Sequence, residues 1–118
     1  MLPREIMVDA AETARKKAAR PAASRAIAIL RAHRTDLARM GVRHAWIFGS
    51  TARGDAVPES DVDVLVDVDP QIVDNLFGYG AIQQSLEEWL GGSVDLADSN
   101  RLRPGVAAEV ARDKILAF

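Results

Sequence analysis

Apolar and polar residues change their period several times along the chain, and the changes mark out its elements. From about Val8 to Arg20, Ala, Lys and Arg dominate around a weak apolar stripe, which predicts a helix. Pro21 interrupts it. Ser24 is placed to cap a second helix, in which Ile27, Leu30, Leu37 and Met40 recur near helical spacing and Gly41 provides the stop. The period then shortens. Ala45-Trp46-Ile47-Phe48 is an apolar run bounded by Gly49, as in a buried strand, and Val62 to Val68 alternates with β-branched residues as a second strand, ended by Pro70. Helical spacing returns from roughly Val73 to Leu90, with Ile82, Leu86, Trp89 and Leu90 on one face. Gly91-Gly92 breaks the chain before a short third strand, Ser93 to Ala97, and Pro104 opens a last helix running to about Leu116. The order helix, strand, strand, helix, strand, helix predicts a small mixed β-sheet with helices packed against it, an α/β (α+β) domain.

Length narrows this picture. At 118 residues the chain has material for one small core and little left for a second, substrate-gripping lobe. It has no cysteine, which excludes disulfides, thiolate metal sites and cysteine nucleophiles. Its apolar stretches are too short to span a bilayer and no charged-then-apolar leader opens it, so a cytoplasmic protein is expected. The net charge of -2 conceals a segregation. Met1 to Arg43 holds ten Lys/Arg against four Asp/Glu, whereas His44 to Asn100 holds one basic residue, Arg53, against eleven acidic ones. So acidic a centre attracts cations, and repels nucleic acid unless metal offsets the charge. The basic ends are either solvated helix faces or a surface for an acidic partner or nucleic acid. With 5% aromatic residues, direct nucleic-acid binding is not expected. Trp46 and Trp89 read as core, His33 and His44 as surface or helix-end residues, and Tyr79, between Gly78 and Gly80, as part of a loop, packed in the core or a lid in preference to stacking on a nucleotide.

The chemistry concentrates between the first two strands, in Gly49-Ser50-Thr51-Ala52-Arg53-Gly54-Asp55 and on to Pro58-Glu59-Ser60-Asp61-Val62-Asp63. Gly49 lacks a Cβ, so a phosphate can approach its backbone, and Ser50 and Thr51 offer hydroxyls and caps for a short helix. Neither a Walker loop nor a dinucleotide fingerprint is present. Asp61 and Asp63, two apart on a strand, would leave the same face with Cα atoms about 6.6 Å apart, a spacing that suits a hard cation such as Mg²⁺. The competing reading is a polar strand edge, and this is the one assigned to Asp67 and Asp69. Asp95, in the short third strand, is the candidate third carboxylate and a candidate proton acceptor; Asp98 is its rival, in a turn-like Asp-Ser-Asn suited to capping. Arg53 is either a phosphate contact or the partner of Asp55 or Glu59.

The run GSTARGDAVPESDVDVLV resembles the core motif of the minimal nucleotidyltransferases, a branch of the DNA polymerase β-like superfamily. Gly49-Ser50 is followed by ten residues, Thr51 to Ser60, and then Asp61-Val62-Asp63, the spacing of that motif. The Ala-Arg-Gly and Pro-x-Ser-Asp elements within the gap agree as well, as does Arg-Leu-Arg-Pro before the last helix. The resemblance covers about Ser24 to Phe118. It implies a polymerase β-like nucleotidyltransferase domain over residues 22–118, with residues 1–21 as a helical extension.

By that resemblance Gly49 and Ser50 hold a nucleotide triphosphate with Arg53 beside them, and Asp61, Asp63 and Asp95 form a catalytic and metal-binding set for two Mg²⁺ ions. Stand-alone domains of this kind are similar to the antitoxins of HEPN/MNT toxin-antitoxin pairs, which implies transfer of AMP from ATP to a tyrosine of a HEPN toxin. Two other functions remain open at this level. One is neutralisation of the partner by binding alone; the other is an aminoglycoside-type nucleotidyltransferase, whose acceptor domain this short chain lacks.

Overall fold

The branched residues of the second predicted strand make it the spine of the sheet. In the computed structural model, which describes residues 22–118, this strand spans Val62–Val68 and its side chains are buried or half-buried on both faces. The preceding strand is longer than its apolar run, Val42–Phe48, because the spine supplies hydrogen-bonding partners beyond it. We label these β2 and β1. They pair antiparallel from Val42 opposite Val68 to Phe48 opposite Asp63, with a bulge between Val42 and His44. β3 (Val94–Asp98) lies parallel to β2 on its other side, and a two-residue β4 (Ile115–Leu116) pairs antiparallel with β1. The sheet order is β3-β2-β1-β4.

Helices cover both faces. α1 (Ala23–Ala32) and α2 (Arg34–Arg39) replace the single helix expected from the sequence. The break falls at His33, whose ring stacks on Trp89 at 3.8 Å and nearly parallel, and whose amide is shared between the carbonyls of Ile29 and Leu30. Ser24 sits inside α1 and does not cap it; the N-cap is Ala22, with no side-chain bond. Gly41 does end the pair. Its φ is +101°, and a Cβ there would lie 2.7 Å from Val73 Cγ2, so both conformation and space demand glycine.

The parallel β2–β3 connection carries the longest helix, α4 (Leu76–Leu90), as parallel pairing requires a crossover. It starts three residues later than its apolar pattern, where Asn75 Oδ1 accepts from the amides of Phe77 and Gly78. Tyr79 therefore lies in this helix, not in a loop. Leu30, Leu37, Ile47, Val64, Ile82 and Leu86 form the main core on this side of the sheet. A smaller core of Phe48, Leu65 and Val110 lies under the last helix, α5 (Pro104–Asp113). Trp89 packs at the margin of the first core and Trp46 at that of the second.

The last helix stops at Asp113, short of the expected Leu116. Lys114 is extended, and the backbone beyond it completes the free edge of β1: Ala117 donates to Ala45 O at 2.8 Å and Ala45 donates to Phe118 O at 3.2 Å. Edge amides and carbonyls that need partners outweighed helix propensity in this segment. The helix expected from Val8 to Arg20 lies outside the described residues. Among the described residues, no helix is long and apolar enough to cross a membrane.

Candidate functional site

β1 ends at Phe48 and the chain turns at once into a five-residue helix, α3 (Gly49–Arg53), closed by Gly54 at φ +82°. The turn depends on Gly49. Its φ is +67°, and a Cβ on it would collide with Asp63 Oδ2 and lie 3.1 Å from Glu109 Oε1. Main chain, Asp63 and Glu109 thus share one corner, which only a residue without a side chain leaves open. Neither Ser50 nor Thr51 caps α3, contrary to the expectation; the N-cap is Phe48 and no side chain bonds there. Ser50 is half-buried, whereas Thr51 is buried and its Oγ1 has no hydrogen-bond partner among the described residues.

The return loop is held by short bonds: Val57 N donates to Ser60 Oγ at 3.1 Å and Ser60 N to Val57 O at 2.9 Å. Asp61 follows immediately. It is exposed and precedes β2, so only Asp63 of the pair lies on the strand itself. Val62 N bonds Ser93 O at 2.9 Å, which ties the start of β2 to the start of β3 and sets the register. In that register Asp63 lies directly opposite Asp95. Two positions 32 residues apart in sequence are therefore neighbours on one face, while Asp98 pairs three steps on, opposite Val66. Asp98 behaves as a capping residue: its Oδ1 accepts from Asn100 N at 2.9 Å and its Oδ2 from the Tyr79 hydroxyl at 2.5 Å.

The carboxylates feel one another. Burial in the corner, reinforced by Asp95, then Glu109 and Asp61, pushes Asp63 up to about 6, with Arg53 opposing. A negative site that raises its own member's pKa favours whatever cation enters it. The donor set is all hard oxygen, as Mg²⁺ prefers. Among the described residues no three acidic or imidazole side chains converge tightly enough to enclose a metal by themselves. A cation held here would complete its shell with water or phosphate oxygens, the usual habit of Mg²⁺.

Arg53 is engaged elsewhere. Its guanidinium donates to Asp113 Oδ2 at 2.7 Å and Asp55 Oδ2 at 3.2 Å, and lies 3.6 Å from Glu109 Oε1. Of the two partners weighed from the sequence, it takes Asp55. Asp113, only 4% exposed at its side chain, is held down to about 2 by Arg112 and by Arg53. Arg53 thus pins α3 to α5. Glu109 and Asp113 went unnoticed in the sequence, because nothing local distinguishes two acids on an amphipathic helix. Asp67 and Asp69 are structural, as assigned: Asp67 accepts from Arg43 at 2.9 Å, and Asp69 Oδ1 accepts from Gln71 N at 2.9 Å.

Comparison with known proteins bears on this geometry. The profile of the family described as "Polymerase beta, Nucleotidyltransferase" matches residues 35–118. The chain belongs to this nucleotidyltransferase family. It is 40% identical over 88 residues to the protein adenylyltransferase MntA of Thermococcus cleftensis, covering 74% of this chain and 87% of that protein. A provisionally named protein adenylyltransferase of Methanocaldococcus jannaschii is 34% identical over 89 residues, 74% of this chain and 89% of the relative. Among solved structures, one provisionally named a minimal nucleotidyltransferase superposes with a TM-score of 0.59 at 33% identity, over 75% of this chain and 93% of the other. A toxin-antitoxin crystal structure with AMP-PNP shares the fold, with a TM-score of 0.59 at 20% identity over 75% and 72% of the two chains. The nucleotidyltransferase fold expected from the sequence is the one observed.

Proposed function

We propose that this nucleotidyltransferase moves AMP from ATP to a hydroxyl, a tyrosine, of a HEPN-type toxin, and so acts as its antitoxin. The observation that carries the reading is the pairing of Asp63 with Asp95 across β2 and β3, beside Asp61 and under the open backbone of Gly49. The similarity to a protein adenylyltransferase supports a protein acceptor. On this reading residues 22–118 are the transferase domain. Gly49 and Ser50 receive the triphosphate, Gly49 because it carries no side chain at the turn that opens α3.

Asp61 and Asp63 would hold Mg²⁺, with Asp95 completing the set for a second ion; bound there, the metal neutralises phosphate charge. Asp95 is exposed beside them and takes the proton of the incoming hydroxyl. Arg53 keeps the Gly49–Arg53 turn fixed against α5, so the corner is preorganised before substrate arrives.

The test uses α-labelled ATP, Mg²⁺ and the product of the adjacent reading frame, with wild type and an Asp61→Ala/Asp63→Ala variant. Label on the neighbour with wild type alone is the expected result. Neutralisation of the neighbour's toxicity by both proteins without any label would replace this reading with antitoxin action by binding.

A further inference from the structure

Beside Asp95 the structure has a cavity of ≈ 280 Å³. Its apolar walls are Phe48, Leu102 and Val106, and Asp95 lies on its rim. Arg101 and Arg103 also line it. Both are exposed, and neither makes an ion pair among the described residues. Arg53 and Arg43, by contrast, are both spent on carboxylates. Two guanidiniums without an ion pair thus share an apolar recess with Asp95 and Asp98, and are free to meet an anionic group that enters it.

The position of the cavity decides between donor and acceptor. Gly49-Ser50 closes β1, the carboxylate pair opens β2, and Asp95 lies on β3, at the far edge of the sheet order. In-line displacement puts the attacking oxygen opposite the departing pyrophosphate. With the triphosphate tail at Gly49, an attack from the β3 side passes Asp95, which lines the cavity together with Leu96, Ala97 and Asp98 of the same strand. The surface continues beyond it in apolar residues. Asp98 lines the cavity and accepts the Tyr79 hydroxyl; Leu76, one turn before Tyr79 on the same face of α4, is 87% exposed, and its neighbour Phe77 is 90% exposed. Adjacent large apolar side chains left in water fit a macromolecular acceptor better than a small one.

We propose that this cavity is the acceptor subsite, and that it takes an aromatic hydroxyl side chain carried on an acidic segment of a partner protein, gripped by Arg101 and Arg103. The assignment rests on the transferase reading above. The hydroxyl oxygen forms a bond to the α-phosphorus of ATP, the bond from that phosphorus to the bridging oxygen breaks, and pyrophosphate leaves with the electron pair. The hydroxyl proton passes to the Asp95 carboxylate.

The experiment uses the full chain with Mg²⁺ and α-labelled ATP. The acceptors are three synthetic peptides: a tyrosine flanked by glutamates, the same tyrosine flanked by lysines, and a glutamate-flanked phenylalanine. The acidic tyrosine peptide is expected to be labelled in preference to the basic one, and the phenylalanine peptide not at all. In Arg101→Glu/Arg103→Glu the KM for the acidic peptide should rise about tenfold, the preference should turn toward the basic peptide, and the affinity for AMP-PNP should not change. Equal use of both tyrosine peptides, or weakened AMP-PNP binding in the double variant, overturns the assignment. So does a wild type that binds AMP-PNP but labels no peptide. Failure of the wild type to bind AMP-PNP at all overturns the transferase reading instead.

Discussion

Replacing Asp63 by asparagine should make the protein more stable while disabling its site. The side chain is half-buried beneath Gly49, and burial, then Asp95, Glu109 and Asp61, lift it from 3.8 to about 6. Between those values the folded state binds more protons than the unfolded one, so stability falls as pH rises through the window and the cost is complete above about 6. At about 1.4 kcal/mol per pH unit the shift corresponds to about 3 kcal/mol. Screening of a carboxylate that water still reaches leaves about 1 kcal/mol. In a domain of this size that is about 3–6 °C in melting temperature.

Asp63→Asn removes the charge and keeps the shape. It should melt higher than wild type by that margin at pH 7 without divalent ions, and the gap should close by about pH 4. Circular dichroism melts at the two pH values measure it. Mg²⁺ with AMP-PNP should then raise the wild type more than the variant. A gap of equal size at both pH values, or a variant that melts lower at pH 7, would refute the electrostatic account of the corner.

Two further outcomes follow from neighbouring contacts. Gly49→Ala forces a side chain into positive φ and onto Asp63, and should cost about 2 kcal/mol, read by urea denaturation; an unchanged midpoint would contradict the close approach. Arg53→Ala removes one of the two arginines that hold Asp113 at about 2. A depressed carboxylate stabilises the fold above its ordinary value and loses that contribution as pH falls through about 2, so the variant should melt lower at pH 7 and the difference should shrink between about pH 4 and 2.

What could be read from the sequence was local. Val62 to Val68 shows its boundaries because branched residues alternate without interruption, and both ends match the observed strand. The fixed gap from Gly49-Ser50 to Asp61 places a turn before an acidic strand, and both are there. What escaped depended on partners distant in sequence. His33 interrupts a helical pattern because Trp89, far along the chain, stacks on it. Ile115 and Leu116 fit a helix until β1 presents an unpaired edge. Asp61 seemed to share a strand with Asp63, yet the strand begins one residue later, where Ser93 supplies the first bond. Asp95 was preferred to Asp98 on local grounds, and the parallel register sets it opposite Asp63. Glu109 had no local mark, since its relation to Asp63 exists only after α5 has folded over the sheet.

The parallel pairing of β2 with β3 also gives the site a seam. β3 is an edge strand, bonded on one side only and reached through α4, whereas β2 is held between two neighbours. Edge elements with few partners open before central ones. Partial opening of this fold would carry away Asp95 and the rim of its cavity while leaving Asp61, Asp63 and the Gly49 turn assembled. The Asp95 side of the site would therefore open apart from the Gly49–Asp63 side, and a macromolecule seated along β3 would hold it closed.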